Sequence, residues 1–304
     1  MLASSWTRRR FMRSATTLTG ILALLGLRAS AQPVIYICPM HPDQRGAKGG
    51  TCPRCGMALV PTEPVSVGSY ELDIEMKPAL IRPGRPFDVE LAVRHPVTGA
   101  LVRRFEPMHE RIFHLFVVSH DLQYFAHVHP VQGRDGRLKI TLTLPSAGAY
   151  QLVADFLPEG GAPQLIQRSF LTAGYDGRLA DIPVLATDTE DKIVAGTHVT
   201  LVMPDPIAGR EQLLTYQLTD AGDGGPIHDL EMFLGAPGHL LVVSADLAIA
   251  MHQHPTPELA PSPESTVVFQ VLFPRRGTYR LWAQFQRSGR IITVPFTVQV
   301  RDAP

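Results

Sequence analysis

Two stretches of this 304-residue chain lie 125 positions apart and repeat one another. Residues 105–130 read FEPMHERIFHLFVVSHDLQYFAHVHP and residues 230–255 read LEMFLGAPGHLLVVSADLAIAMHQHP. Eleven of these 26 aligned positions are identical, far above chance. Gly148-Ala149-Tyr150 then matches Gly277-Thr278-Tyr279 at an offset of 129, as an inserted loop would leave it. A duplication on this scale restricts the chain to two copies of one unit. The copies span 67–174 and 183–301, and 175–182 is the joint.

Each unit reads as β. Tyr70, Leu72, Ile74 and Met76 alternate with Glu71, Asp73 and Glu75; Phe87, Val89, Leu91 and Val93 alternate with Asp88 and Glu90. Leu138 to Leu144 and Tyr150 to Phe156 alternate in the same way. A period of two between Pro- and Gly-rich separators predicts half-buried strands. The chain holds 27 prolines and 25 glycines, which suits many short strands, and no strong helical period follows residue 31. About seven strands in such a unit predict an immunoglobulin-like or cupredoxin-like sandwich. The expected architecture is mainly β: a small metal-binding ribbon, then two tandem sandwiches.

The repeat carries three histidines per copy: His114, His127 and His129, then His239, His252 and His254. Alternate strand residues share a face, so the two histidines of each His-x-His point the same way. A hairpin turning at residues 120 and 121 would set His114 opposite His127 and diagonal to His129, and His239 likewise opposite His252. Three neutral imidazoles at such spacing suit Cu(II) or zinc, and an open fourth position suits a catalytic zinc water. The competing reading is structural, with each histidine bonding a backbone carbonyl. His95, His109, His120, His198 and His228 do not recur between the copies and read as solvated loop or strand-end residues. Gly238-His239 followed by an apolar strand and His252-Gln253-His254-Pro255 is similar to a family of exported bacterial β-sandwich proteins. Several of these are associated with metal-handling modules. The first copy departs from that pattern, with Phe113 where the second has Gly238.

The three cysteines, Cys38, Cys52 and Cys55, fall within 18 residues, which suggests a local thiolate site rather than a disulfide framework. Cys38-x2-His41 and Cys52-x2-Cys55 are two pairs whose tight turns let four ligands converge on a tetrahedral ion. Met40 and Met57 add thioethers, which shifts preference toward Cu(I), with zinc as the other candidate. An oxidised Cys52–Cys55 pair is the alternative in an oxidising compartment. The stretch 36–61 resembles the small heavy-metal-binding domain with a Cys-Pro-Met-His-Pro…Cys-Pro-x-Cys-Gly-Met signature. That domain occurs near the N-termini of some copper- or heavy-metal-transporting P-type ATPases and in periplasmic efflux adaptors. The resemblance implies a ligand module over 33–62 and a metal-transporting ATPase or efflux system as partner.

Thr7-Arg8-Arg9 with Phe11-Met12, an apolar stretch to Leu27 and Ala29-Ser30-Ala31 read as a secretory signal over 1–31. The pattern resembles a twin-arginine export signal. The expected location is periplasmic or otherwise exported, soluble after cleavage near Gln32 and membrane-anchored if uncleaved. The first 31 residues hold five arginines and no acid, which leaves the body mildly acidic and a poor nucleic-acid binder. Among known motifs there is no Gly-x-Ser-x-Gly, no His-Glu-x-x-His and no phosphate-cradling glycine loop. These observations point to a non-enzymatic metal-binding protein, with copper as the expected ion because thiolates and thioethers select soft ions; a copper-redox or zinc-hydrolytic metalloenzyme built on the histidine trios is the alternative.

Overall fold

Strands form where apolar and polar residues alternate. In Glu71–Lys77 the side chain of Leu72 is buried while Glu71, Asp73 and Glu75 face water. A computed structural model describes residues 35–39, 44–54, 56–62, 69–178, 181–256 and 265–303, and its regular elements are all strands. The signal reading, with its cleavage site, lies outside the described residues.

In the first repeat Glu71–Lys77, Pro86–Arg94, Leu138–Thr143 and Val131–Gln132 pair antiparallel in that order. The facing sheet runs Gln164–Leu171, Ala149–Pro158, Phe113–Ser119, Phe125–Val128. Phe87, Val89, Leu91, Leu115, Val117, Leu152 and Phe156 fill the space between them. The second repeat stacks Lys192–Val194, Thr197–Val202, Glu211–Asp220 and Thr266–Leu272 on a sheet containing Gly277–Arg287, His239–Ser244 and Ala250–Gln253, with Arg290–Val300 paired to Gly277–Arg287. Each repeat is therefore a two-sheet antiparallel sandwich of immunoglobulin type. Both carry a tyrosine corner: Tyr150 donates its hydroxyl to Ser146 O at 2.9 Å, and Tyr279 to Arg275 O at 2.9 Å.

Residues 34–304 form one compact unit, and the packing between the sandwiches is what places the histidines. Every residue of Phe113–Ser119 and of Ala149–Pro158 is buried, so these strands are covered on both faces rather than one. Phe113, Leu115 and Val117 turn into their own core. Phe116, Val118 and Val153 turn the other way and meet Leu241, Val243, Leu247 and Trp282 of the second repeat. Phe125 stacks on Trp282 with ring centres 5.2 Å apart. The N-terminal ribbon is a three-stranded sheet of Arg45–Gly46, Ile35–Ile37 and Val60–Thr62. Its Arg54 reaches Glu211 of the second sandwich at 2.6 Å.

Candidate metal centres

His114 shares its face with Phe116 and Val118, and His127 and His129 share theirs with Phe125. All three therefore point into the seam between the repeats. The same holds for His239, His252 and His254. The two trios are thus one cluster. Ring centres of His114 and His252 are 5.1 Å apart, and those of His127 and His239 are 5.7 Å apart. His114, His127 and His252 offer ligand atoms all within 4.8 Å of one another, as do His239, His252 and His254.

The hairpin register differs from the sequence expectation by two residues. Phe116 pairs with His127 and Leu115 with Val128, which carries His114 opposite His129 and diagonal to His127. The turn is longer than assumed: Ser119 N–H donates to Tyr124 O, and Leu122 takes a positive φ of 56° at its tip. Leu241 pairs with His252 in the second copy, whose turn holds Leu247 at φ 59°. A shift of two keeps every side chain on its face, so the trios survive.

Hydrogen bonds at the rim fix the tautomers. His114 Nε2–H donates to Met108 O at 2.9 Å, and His239 Nε2–H donates to Phe233 O at 2.9 Å. His127 Nδ1–H donates to Gln284 Oε1 at 2.8 Å, and His252 Nδ1–H to the Asp155 carboxylate at 2.6 Å. Both of the latter bonds cross between repeats. In these four histidines the remaining nitrogens are left with lone pairs that face one another, and His129 Nε2 adjoins them. His114 Nδ1 lies 3.0 Å from His127 Nε2 and 3.3 Å from His129 Nε2; His239 Nδ1 lies 3.3 Å from His252 Nε2. An edge of about 3.3 Å is what tetrahedral coordination gives with metal–nitrogen bonds of about 2.0–2.1 Å. His254 Nδ1 and Nε2 are buried with no hydrogen-bond partner. Such groups are costly unless something satisfies them, and a cation between the lone pairs does so.

His109, read from the sequence as a solvated loop residue, belongs to this cluster. The Met108–Arg111 turn holds His109 and Glu110 at φ 48° and 64°, which folds the imidazole inward. It stacks on His254 at 3.6 Å, and its Nε2 is buried without a partner. The second copy has Leu234 at that place, so the duplication gave no hint of it.

Burial disfavours the imidazolium throughout. It holds His109 down at about 4 and His129 at about 3, with His114 as a further repulsive neighbour in each case. His127, His239, His252 and His254 are held well below the usual range by burial and then by neighbouring imidazoles. Burial thus favours the neutral imidazole throughout the cluster, the form that ligates metal. Burial also lifts Asp155 to about 6, against the pull of His114. A carboxylate holding the far nitrogen of a ligating histidine orients it and raises its basicity. Asp155 and Gln284, neither singled out by the sequence reading, fill that outer role.

In the ribbon Cys38 and Cys52 are buried together with Leu59, and Met57 packs against them. Cys52 N–H donates to Met57 O, and Gly56 N–H to Cys52 O; Gly56 takes φ 71° as this tight turn requires. Met40, His41 and Cys55 lie outside the described residues.

Residues 66–168 and 192–302 match the family described as Domain of unknown function (DUF8832). The chain belongs to this DUF8832 family. Residues 35–62 match the Heavy metal binding domain. A copper-exporting P-type ATPase of Legionella pneumophila is 40% identical over 65 residues, 21% of this chain and 8% of the ATPase. The chain thus spans less than a tenth of that relative's length. Among solved structures, the Escherichia coli adhesin FdeC is similar with 13% identity and a TM-score of 0.25, over 77% of this chain and 66% of that one. A two-domain fibronectin type III segment of chicken tenascin gives 11% identity and a TM-score of 0.22, over 76% and 99%. The immunoglobulin-type assignment therefore rests on the strand order and tyrosine corners of this chain.

Proposed function

We propose that this DUF8832 protein is an exported, non-enzymatic metal-binding protein that handles copper. The ribbon captures a soft ion on Cys38, His41, Cys52 and Cys55, with Met40 and Met57 beside it. The histidine centre holds further metal between the repeats. A periplasmic location and an exporting ATPase or efflux system as partner are part of this reading, supported by the signal-like N-terminus and by the ATPase similarity. One observation carries the assignment: imidazole nitrogens left bare by the rim hydrogen bonds face one another, His114 Nδ1 and His127 Nε2 at 3.0 Å and His239 Nδ1 and His252 Nε2 at 3.3 Å. Only a proton or a metal ion relieves that contact, and burial opposes the proton.

Anaerobic titration with Cu(I), and separate titration with zinc and Cu(II), tests it by metal analysis. The Cys38→Ser, Cys52→Ser, Cys55→Ser variant is expected to lose one Cu(I) and to keep the histidine-bound ions. His129→Ala with His254→Ala is expected to lose those ions while the metal-free fold persists, because His254 has no hydrogen-bond partner and His129 is half-buried just past the end of its strand. Unchanged stoichiometry in that variant would overturn the histidine centre. Equal Cu(I) loading in wild type and the serine variant would remove the ribbon site.

A further inference from the structure

The two arms of the histidine centre are related by the duplication, but their surroundings are not. Asp155 and Gln284 occupy equivalent places: Asp155 pairs with His114 in its sheet, and Gln284 pairs with His239 in the other. Each reaches across the seam to the hairpin histidine of the opposite repeat, Asp155 to His252 and Gln284 to His127. One arm thus rests on a carboxylate and the other on a neutral amide whose nitrogen donates to Thr293 Oγ1 at 3.0 Å. Asp155 also lies beside His114 in the sheet, but its hydrogen bond goes to His252 alone among the histidines.

We infer that the centre holds two inequivalent ions: a divalent cation on His239, His252 and His254, and a monovalent soft cation on His114, His127 and His129. This rests on the proposed metal-binding role and specifies the cargo of that site. His252 has one nitrogen left to give and lies within reach of both groups. Its Nε2 contacts His239 Nδ1 at 3.3 Å, and that contact assigns it to the divalent position. There three neutral imidazoles leave two positive charges in a buried site, and the Asp155 carboxylate offsets one of them. The other position has no anion hydrogen-bonded to its ligands; His127 rests on the neutral Gln284 amide. An ion of charge +1 meets the smaller electrostatic penalty there, and Cu(I) accepts imidazole ligands.

The test uses the full chain with Cys38, Cys52 and Cys55 changed to serine, so that only histidine sites report. Zn(II) serves as divalent probe and Ag(I) as monovalent probe, both free of redox change. The expected result is one tight and one weaker Zn(II). Asp155→Asn is expected to weaken the tight Zn(II) by about 10- to 100-fold and to leave Ag(I) binding unchanged. Gln284→Glu is expected to tighten the weaker Zn(II) by about tenfold or more, a gain that a folding defect cannot mimic. Two Zn(II) of equal affinity, or no response to either substitution, would overturn the inequivalence while metal binding stood. Uptake of neither probe by the parent variant would overturn the metal-binding role of the histidines itself.

Discussion

Phe116→Ala is expected to destabilise the chain by about 3–5 kcal/mol and to weaken metal at both arms of the histidine centre. Phe116 is 1% exposed and sits in the seam rather than in either sandwich core. Its ring stacks on His127 at 4.2 Å and meets His252, from the other repeat, edge-on at 4.8 Å. It is therefore a wedge between the two trios. Removing it leaves a cavity on both sets of ligands and frees imidazoles that packing now holds at coordination distance. Loss of positioning at that scale is felt at metal sites because their geometry depends on the groups behind the ligands. Thermal unfolding should shift downward by roughly 10 °C for a loss of this size. Phe285→Ala is the control. Phe285 is fully buried in the core of the second sandwich, and its loss should cost similar stability. It should leave Zn(II) on the first arm unchanged. Equal loss of metal in both variants would show that the seam has no special role in holding the ligands.

Much of this was legible from the sequence, for identifiable physical reasons. Alternation in segments such as Glu71–Lys77 gave the strands because one face of each meets water. The His-x-His pairs gave shared faces because the strand period is two, and a register error of two residues leaves that parity intact. The merging of the trios was harder to read. Its trace was the unbroken apolar run His114-Leu-Phe-Val-Val, which is what a strand buried on both faces looks like. Asp155 had a trace as well. It lies on the opposite face from Tyr150, Leu152 and Phe156 in a strand with no other charge. Its equivalence to Gln284 was masked by the shift in offset from 125 to 129, and its partner lies 97 residues away. His109 left no periodic trace, since its direction is set by two positive-φ residues in a turn.

Acidification should unfold the metal-free chain well above the pH at which most carboxylates titrate. An imidazole in the unfolded chain binds its proton near pH 6.5. In the folded chain burial holds His109 down at about 4 and His129 at about 3, and His114, His127, His239, His252 and His254 are all lowered as well. Between pH 6.5 and about 4 the unfolded chain therefore carries more protons, so stability falls as pH falls. His109 alone, displaced from 6.5 to about 4, accounts for about 3 kcal/mol of that loss. Asp155 acts with the opposite sign. Its folded value of about 6 lies above the unfolded carboxyl range, so its contribution improves as pH drops through about 6. It is one group against seven imidazoles, and the balance remains a loss. Circular dichroism of metal-stripped protein should place the acid midpoint between pH 4 and 6.5. His129→Ala with His254→Ala removes two of the groups that must be protonated, so it should move the midpoint to lower pH. Zinc should do the same while it stays bound, because protons must then displace the metal before the imidazoles can charge. A metal-free chain as stable at pH 4 as at pH 7 would mean that the imidazoles are not held neutral in the seam. The facing lone pairs would then be bridged by protons, and the case for a metal between them would fall with the stability argument.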